Sequence, residues 1–536
     1  MLSVESSSRK LVFSKPKGLN YLLFLYVYSA LLLLFCTPNS PLFSMQSWVD
    51  PNVYMDVGRA MSEGRVLYRD VFDHKGPLFL MAFAVLAPIS RHSLLGLYLL
   101  QIACLGTSLV FLFKTSRLFV SHTASLLICI GFPFFLLSQP VYCNGGGSPE
   151  EILLPFFMGS LYFIIESFFI PKDSASKHSQ LRRFWFLGLF FGITLLTKIN
   201  LSVFIAAGSG MLLLQFLLKK DTKNFAGALL RFFGGILTAF LPCVIYWTAT
   251  RSLRDCYDTY ILFNMAYISS KTSVTPLFSA ARTLAIIFTR NFGAILIVVV
   301  GLIILQLKKL LNTYLTLTLF LMFLSLLIIT FGAGYAYWYY CIPFVCFAGL
   351  GEIGIAVFFR EIAEKLRLHF DRHPHPVILP AAKVLLIVLF LITIILGNGF
   401  WRLSIPFSPE KSGVEAACDT ILTTWKESET TCEPDILLYN SLETGFYTQL
   451  GTAPIHRYFY SPGMDTSLLP DYVNAQNSYV TEGLPDYIIC ISGIKDADFG
   501  IAKLNSEYCQ IGVFDRLIGE PYFDSGLSYI TLYQKM

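Results

Sequence analysis

The sequence predicts an all-α polytopic membrane protein that carries a small α/β domain at its C-terminal end. Three observations carry this expectation. The chain is 55% hydrophobic and 15% aromatic with only 14% charged residues, and its mean hydropathy is +0.61; a water-soluble surface needs many more charges. Long apolar runs recur from Tyr21 to Trp401, most of them close to the roughly 20 residues that cross a bilayer. After Trp401 the runs shorten to strand length, and Asp, Glu, Ser, Thr and Pro return. The net charge is +5, but the basic residues cluster in short loops. That pattern sets topology and excludes a nucleic-acid-binding surface.

Taken in order, Arg9, Lys10, Lys15 and Lys17 place residues 1–18 in the cytoplasm, and 19–36 reads as a retained first helix crossing outward. The loop 37–76 is then external. The next apolar piece, Pro77 to Ser90, has 14 residues, too few to cross, and reads as a re-entrant or juxtamembrane helix on the outer side. Helix 94–113 returns to Lys114 and Arg117, and 120–138 delivers VYCNGGGSPEE to the outer face. Helix 151–170 leads back to a basic loop. Helices 182–197 and 200–218 turn outside at Lys198 and end at Lys219, Lys220 and Lys223. Helix 226–249 opens a long external loop, 250–290. Helix 292–307 ends at Lys308 and Lys309, and helices 311–332 and 337–358 turn outside at GAGYAYWYY. Arg360, Lys365, Arg367 and Arg372 hold 359–379 inside, and 381–399 exits. The count is about 11 spans. Residues 19–400 are thus the membrane domain and 401–536 an extracytoplasmic α/β domain. Strands are expected at Ile436-LLYN, Tyr487-IICIS, Gln510-IGVF and Tyr529-ITLYQ, and helices near 412–426 and 442–451. None of the 12 cysteines forms a CxxC pair or a zinc spacing. Cys418, Cys432, Cys490 and Cys509 could form one or two disulfides outside the cytoplasm.

The chemistry-bearing residues fall on the external side. Asp50, Asp56, Asp70, Asp73 and Lys75 share one loop, with Asp50 and Tyr54 four apart and so on one helical face. A carboxylate at the membrane boundary suits a general base, and a lysine beside it suits a lipid phosphate; solvated loop charges are the plainer alternative. In NGGGSPEE, glycines allow close backbone approach. Ser148 reads as N-cap, Pro149 as first helical residue, and Glu150 and Glu151 as first-turn acids. Lys198 breaks the positive-inside pattern and either binds a phosphate or snorkels to the interface. In 250–290, Arg251, Arg254, Tyr267, Lys271, Arg282 and Arg290 suit phosphate contacts and sugar faces, or an interfacial helix. YAYWYY at 335–340 reads as an aromatic belt. Glu166 and Glu352, near cytoplasmic helix ends, are expected to reach the headgroups.

Asp50-x-x-x-Tyr54, Gly64…Tyr68-x-Asp70, His74-Lys75-Gly76-Pro77, the external acid Glu150 or Glu151 and Leu-Thr-Lys198, in this order, resemble the GT-C glycosyltransferases. Specifically, they look like those of relatives of the protein O-mannosyltransferases and the lipid A aminoarabinose transferase. The resemblance implies inverting transfer of a hexosyl or pentosyl group from a polyprenyl-monophosphate donor to a glycolipid, polysaccharide or protein acceptor. It implies the outer side of a bacterial inner membrane. Carried over, Asp50 is the base or the acid of a divalent metal (Mg or Mn) site. Glu150 or Glu151 is the second-loop acid. Tyr54, Asp73, His74, Lys75, Lys198, Arg251, Arg254 and Tyr267 bind substrate. Asp50 is followed by Pro51 where the family has Glu, and His74 stands where the family's Glu-Lys-Pro-Pro has Glu. An O-antigen ligase or polymerase, or a lipid or oligosaccharide transporter, are the other readings.

Overall fold

A computed structural model describes residues 20–137 apart from 44 and 47, and then 146–169, 174–270, 292–332, 338–372, 412–427, 432–463, 469–516 and 528–536, with isolated positions between 281 and 388. The expected domain boundary near 400 and most of the expected last span lie outside these residues. Among the described residues, Leu95–Ser116, Ile199–Leu218, Thr222–Thr250, Thr313–Thr330 and Tyr339–Arg367 are long and apolar enough to cross a membrane. Shorter apolar helices, among them Asn20–Cys36, His122–Leu137 and Ile295–Leu307, accompany them. The chain is a multi-pass membrane protein of mostly helical fold, with fewer full-length spans in the described residues than the sequence predicts. Leu105, Phe113, Phe132, Phe157, Phe204 and Ile353 build the bundle core. Glu352, expected at the headgroups, is instead fully buried, near Tyr28 and Cys129. Glu166, partly exposed, pairs with Arg183 at 2.9 Å and accepts from Tyr162 at 2.6 Å. A carboxylate held inside a bundle needs such partners to offset its lost hydration.

Three helices lead into the segment that carries the candidate site: α1 (Asn20–Cys36), α2 (Val49–Ser62) and α3 (Pro77–Leu86), the last extended by a 3₁₀ turn, Ala87–Ile89, before α4 (Leu95–Ser116). Gly76 leads into α3 with Pro77 at its first turn, where proline costs no hydrogen bond. Both ends of the α3 segment touch the C-terminal unit. Phe72 N–H donates to the Arg457 carbonyl, and Arg91 pairs with Glu433. A helix whose two ends meet the same unit enters and leaves on one side, in keeping with its short apolar length.

The C-terminal unit is a four-stranded sheet in the order β1-β2-β4-β3, with β1 Ile436–Leu438, β2 Tyr487–Ser492, β3 Tyr508–Arg516 and β4 Ser528–Lys535. β1 runs parallel to β2; β4 is antiparallel to β2 and to β3, with a bulge at Gln510/Gly512. Helices Gly413–Glu427 and Phe446–Leu450 stand where the sequence places them, and Pro470–Thr481 is an addition. Side chains alternate between the two faces, as strand geometry requires. Ile436, Leu438, Ile489 and Leu532 pack with Tyr54, Phe79 and Phe83 of α2 and α3, whereas Leu437, Ile488 and Cys490 face Val480 and Ile501. One core therefore spans the first external helix and the C-terminal sheet. Cys418, Cys432, Cys490 and Cys509 are all free thiols. The expected disulfides are absent among the described residues, and Cys418 and Cys490 lie in cores on opposite faces of the sheet.

Candidate active site

Asp50 sits in the first turn of α2, at the positive end of the helix dipole. Its Oδ2 accepts from the Tyr54 hydroxyl at 3.2 Å, the one-face pairing that a separation of four provides. Burial, and then the Asp50 and Asp73 charges, hold the Tyr54 phenol well above its ordinary range, so it stays a donor. Tyr54 is locked edge-on against Phe79 at 4.9 Å and Phe83 at 5.7 Å. Pro51, where the family has Glu, lies under Gly147: a Cβ at Gly147, whose φ is +93°, would come within 3.1 Å of the Pro51 Cβ. Gly146 and Gly147 both need the left-handed region open to glycine.

After α2 the chain turns at Tyr68, a buried non-glycine residue at φ +70°, a conformation that must be held by its surroundings. Its hydroxyl donates to the Lys75 carbonyl at 2.7 Å. Asp70 serves this turn, accepting from Val66 N–H at 2.8 Å, and Asp56 pairs with Arg59; neither belongs to the cluster around Asp50. Asp73 is buried and its Oδ1 accepts from Lys75 N–H at 2.7 Å. Burial raises the Asp73 carboxyl, with Lys75 opposing and Asp50 adding to the rise. The Lys75 ammonium lies 5.4 Å from the Tyr54 ring centroid and 3.2 Å from His74 Nε2. It makes no ion pair among the described residues. Asn264 donates to the His74 carbonyl at 2.8 Å, and the Tyr267 ring lies 5.7 Å from the His74 ring.

Gly76 joins this loop to the second lysine. Its N–H donates to the Thr197 carbonyl at 3.2 Å, and Leu78 N–H donates to Leu196 at 3.2 Å. A Cβ at Gly76 would stand 2.1 Å from the Leu196 carbonyl oxygen, with no flexible atom to give way. Gly76→Ala should therefore part the Lys75 and Lys198 segments, costing about 1–3 kcal/mol of stability as an overpacked contact. Thermal unfolding in detergent checks it, and an unchanged midpoint would count against this docking.

Lys198 pairs with Glu150, and its ammonium sits 4.0 Å from the Tyr340 ring centroid and 5.5 Å from that of Tyr339. Glu150 is fully buried. Ser148 caps the turn and Pro149 starts it, as the sequence predicts. Glu151 points elsewhere. It accepts from Gly147 N–H at 2.5 Å and from Gln101 at 3.0 Å, and so ties the glycine run to α4. The structure thus brings Asp50, Tyr54, Asp73, His74, Lys75, Glu150, Lys198 and Tyr267 to one region and turns Glu151 away from Lys198. Arg251 ends the Thr222–Thr250 helix in the left-handed region. Arg254 is 93% exposed and pairs with Asp258 at 3.6 Å; solvent, and not the cluster, takes both guanidinium groups. Lys271, Arg282 and Arg290 lie outside the described residues. Sequence reasoning missed Tyr339 and Tyr340, which it assigned to a belt, and Tyr460, a buried phenol held above its ordinary range by burial itself and then by the Asp73 and Asp50 charges.

A divalent cation needs several hard ligands at once. Among the described residues, no three His, Cys, Asp or Glu side chains gather so as to hold one. The described residues around Asp50 are Tyr54 and the loop that carries Asp73 and Lys75. The site holds a carboxylate bonded by a phenol, a lysine that makes no ion pair among the described residues, and a second lysine set in a carboxylate and two rings.

This architecture is similar to that of solved structures of ArnT and of an oligosaccharyltransferase. ArnT from Cupriavidus metallidurans bound to undecaprenyl phosphate aligns over 96% of this chain and 98% of its own, with a TM-score of 0.58 and 12% identity. The Archaeoglobus fulgidus oligosaccharyltransferase in its apo form aligns over 95% of this chain and 75% of its own, with a TM-score of 0.51 and 12% identity. The same enzyme in complex with Zn and sulfate aligns over 87% and 67%, with a TM-score of 0.50 and 13% identity. At these identities the likeness is one of fold. No curated protein matches the chain by sequence. The chain belongs to the family of the competence-induced protein Ccs4 N-terminal domain, whose model matches residues 14–354.

Proposed function

We propose that the protein is a membrane glycosyltransferase that moves a hexosyl or pentosyl group from a polyprenyl-monophosphate donor to a glycolipid, polysaccharide or protein acceptor on the outer side of a bacterial inner membrane. The observation that carries this reading is the meeting of Asp50, Lys75 and Lys198 at one place. The Asp50–Tyr54 bond, the Lys75–Tyr54 contact and the Gly76–Thr197 bond link them. The donor enters sideways from the bilayer, and its phosphate meets Lys75, which makes no ion pair among the described residues. Lys198 supplies the second positive charge. As the glycosidic bond breaks, the electron pair passes to the phosphate oxygen, and the two ammonium groups stabilise that charge. Asp50 takes the proton of the acceptor hydroxyl or amine, and attack on the opposite face inverts the anomeric centre. Tyr54 keeps Asp50 oriented. The fold likeness to ArnT bound to undecaprenyl phosphate supports the donor class.

The test compares wild type and Asp50→Asn by transfer from a polyprenyl-phosphate sugar in proteoliposomes, and by mass spectrometry of cellular glycolipids and glycoproteins. Transfer is expected to fall by about 100-fold or more, the contribution of a positioned base. Unchanged turnover in the Asn variant overturns the assignment.

A further inference from the structure

We propose that Lys114, Arg182 and Arg183 form a second phosphate site, which holds the headgroup of an anionic lipid at the end of the bundle away from the candidate active site. This inference does not rest on the transferase reading. Three helices tie the two ends together. α4 meets Glu151 through Gln101 and carries Lys114 in its last turn. Helix Leu154–Glu166 follows the turn that holds Glu150 and ends at Glu166. Helix Ser174–Leu195 passes Arg183 before the chain arrives at Lys198. Each of these stretches is about 20 Å of helix, so Lys114, Glu166 and Arg183 come level across the bundle.

At that level the helices interlock through rings. Gly159 lets them close, since a Cβ there would stand 2.6 Å from the Phe190 ring and 2.9 Å from the Phe111 ring. Phe163 stacks on Phe186 at 5.2 Å. Tyr162 organises the charges. Its hydroxyl donates to Glu166 at 2.6 Å, and Glu166 takes the Arg183 Nε at 2.9 Å. The Lys114 ammonium meets the Phe111 and Tyr162 rings, 5.6 and 5.7 Å from their centroids, and makes no ion pair among the described residues. Arg183 is 5% exposed, and its Nη1 has no hydrogen-bond partner among the described residues. A guanidinium that gives one arm to a carboxylate keeps donors for a second acceptor, and a buried donor left unmade is costly. Arg182, on the exposed side of the same turn, lies 5.8 Å from the Phe186 ring centroid. Three cations thus share one carboxylate, and the surplus is positive. Tyr162 and Trp185 are rings of the kind that settle at headgroup depth. An anion that meets the cluster at that depth is a lipid phosphate, which matches both the charge and the fork of the arginine.

The experiment uses the full chain in a neutral detergent. Native mass spectrometry reads the binding of phosphatidylglycerol, of phosphatidylcholine, whose choline cancels the charge, and of inorganic phosphate. Wild type should prefer phosphatidylglycerol. Lys114→Gln and Arg183→Lys should each weaken that binding about tenfold, the worth of one hydrogen bond to a charged group. Arg183→Lys keeps a cation for Glu166 and gives up the second arm of the fork, so its unfolding midpoint without lipid should stay near wild type. Added phosphatidylglycerol should raise the midpoint of wild type and raise that of either variant less. Unchanged affinity in either folded variant overturns the proposal. Should Arg183→Lys fail to fold, Lys114→Gln decides alone. Binding of inorganic phosphate that the variants weaken, with no preference for the lipid, overturns the lipid assignment. The readout is binding, so a failure of the transferase reading would leave it intact.

Discussion

Lys198→Met should cost both stability and transfer, and the two losses should separate. Glu150 is fully buried; one of its oxygens pairs with Lys198, and the other has no hydrogen-bond partner among the described residues. Removing the ammonium leaves a carboxylate buried without a counter-charge, a change that costs about 3–5 kcal/mol. The same substitution removes one of the two cations proposed to meet the donor phosphate, for a transfer loss of about 100-fold or more. Adding Glu150→Gln removes the stranded charge. The double variant should regain most of the unfolding midpoint and none of the transfer. Recovery of transfer in the double variant would make the pair a strut of the bundle and nothing more. Thermal unfolding and transfer assays on the same two preparations decide it. The Tyr340 ring beside the ammonium adds a weaker attraction, too small to replace the carboxylate.

The parts of this site written in local spacing were legible, and those set by chain-distant contacts were not. Asp50 and Tyr54 bond because four residues make one helical turn. Ser148 and Pro149 start their turn because capping is chemistry of adjacent residues. Lys75 and Lys198 stood out because each breaks the positive-inside pattern that the sequence predicts. The choice between Glu150 and Glu151 was not readable. Neighbouring residues on a helix point about 100° apart, and the rotation that aims Glu150 at Lys198 and Glu151 at Gln101 is set by packing against α4. Charge density misled at Arg251 and Arg254, which cap a helix and face solvent. Tyr460 carries no local mark. It comes to the site only because the Phe72–Arg457 bond and the bonds of 459 and 461 to 438 and 441 place this segment beside residue 72. The paired alternation of the strands was legible; which face would cover α2 was not.

Arg59→Met should unfold the external face at a cost of about 3–5 kcal/mol, because one guanidinium serves two buried acids and three segments. It pairs with Asp56 at 2.5 Å and donates to Thr448 at 3.1 Å and to the Ser90 carbonyl at 2.7 Å. Thr448 in turn donates to Asn52 at 3.4 Å, which binds the C-terminal unit to the helix that carries Asp50. Glu443 is fully buried nearby. Burial, and then the Asp56 charge, push its carboxyl well above the ordinary range. Asp56 has the arginine, so Glu443 is the acid that keeps its proton. The native state therefore binds a proton that the unfolded chain has released above pH ~4.3. Stability must fall as pH climbs from there to the native value, and the full penalty applies above it. Glu443→Gln removes that slope. It should match wild type in mild acid and exceed it at pH ~8, by about 1.4 kcal/mol for each unit by which the native carboxyl is raised within that range. Unfolding midpoints of both proteins across pH 5 to 8.5 provide the measurement, and coincident profiles would place the proton elsewhere. Because Asp56 and Asp50 share α2, a clasp loosened at high pH also frees the helix that holds the base. Transfer by wild type should then decline on the alkaline side, and transfer by Glu443→Gln should hold further into that range.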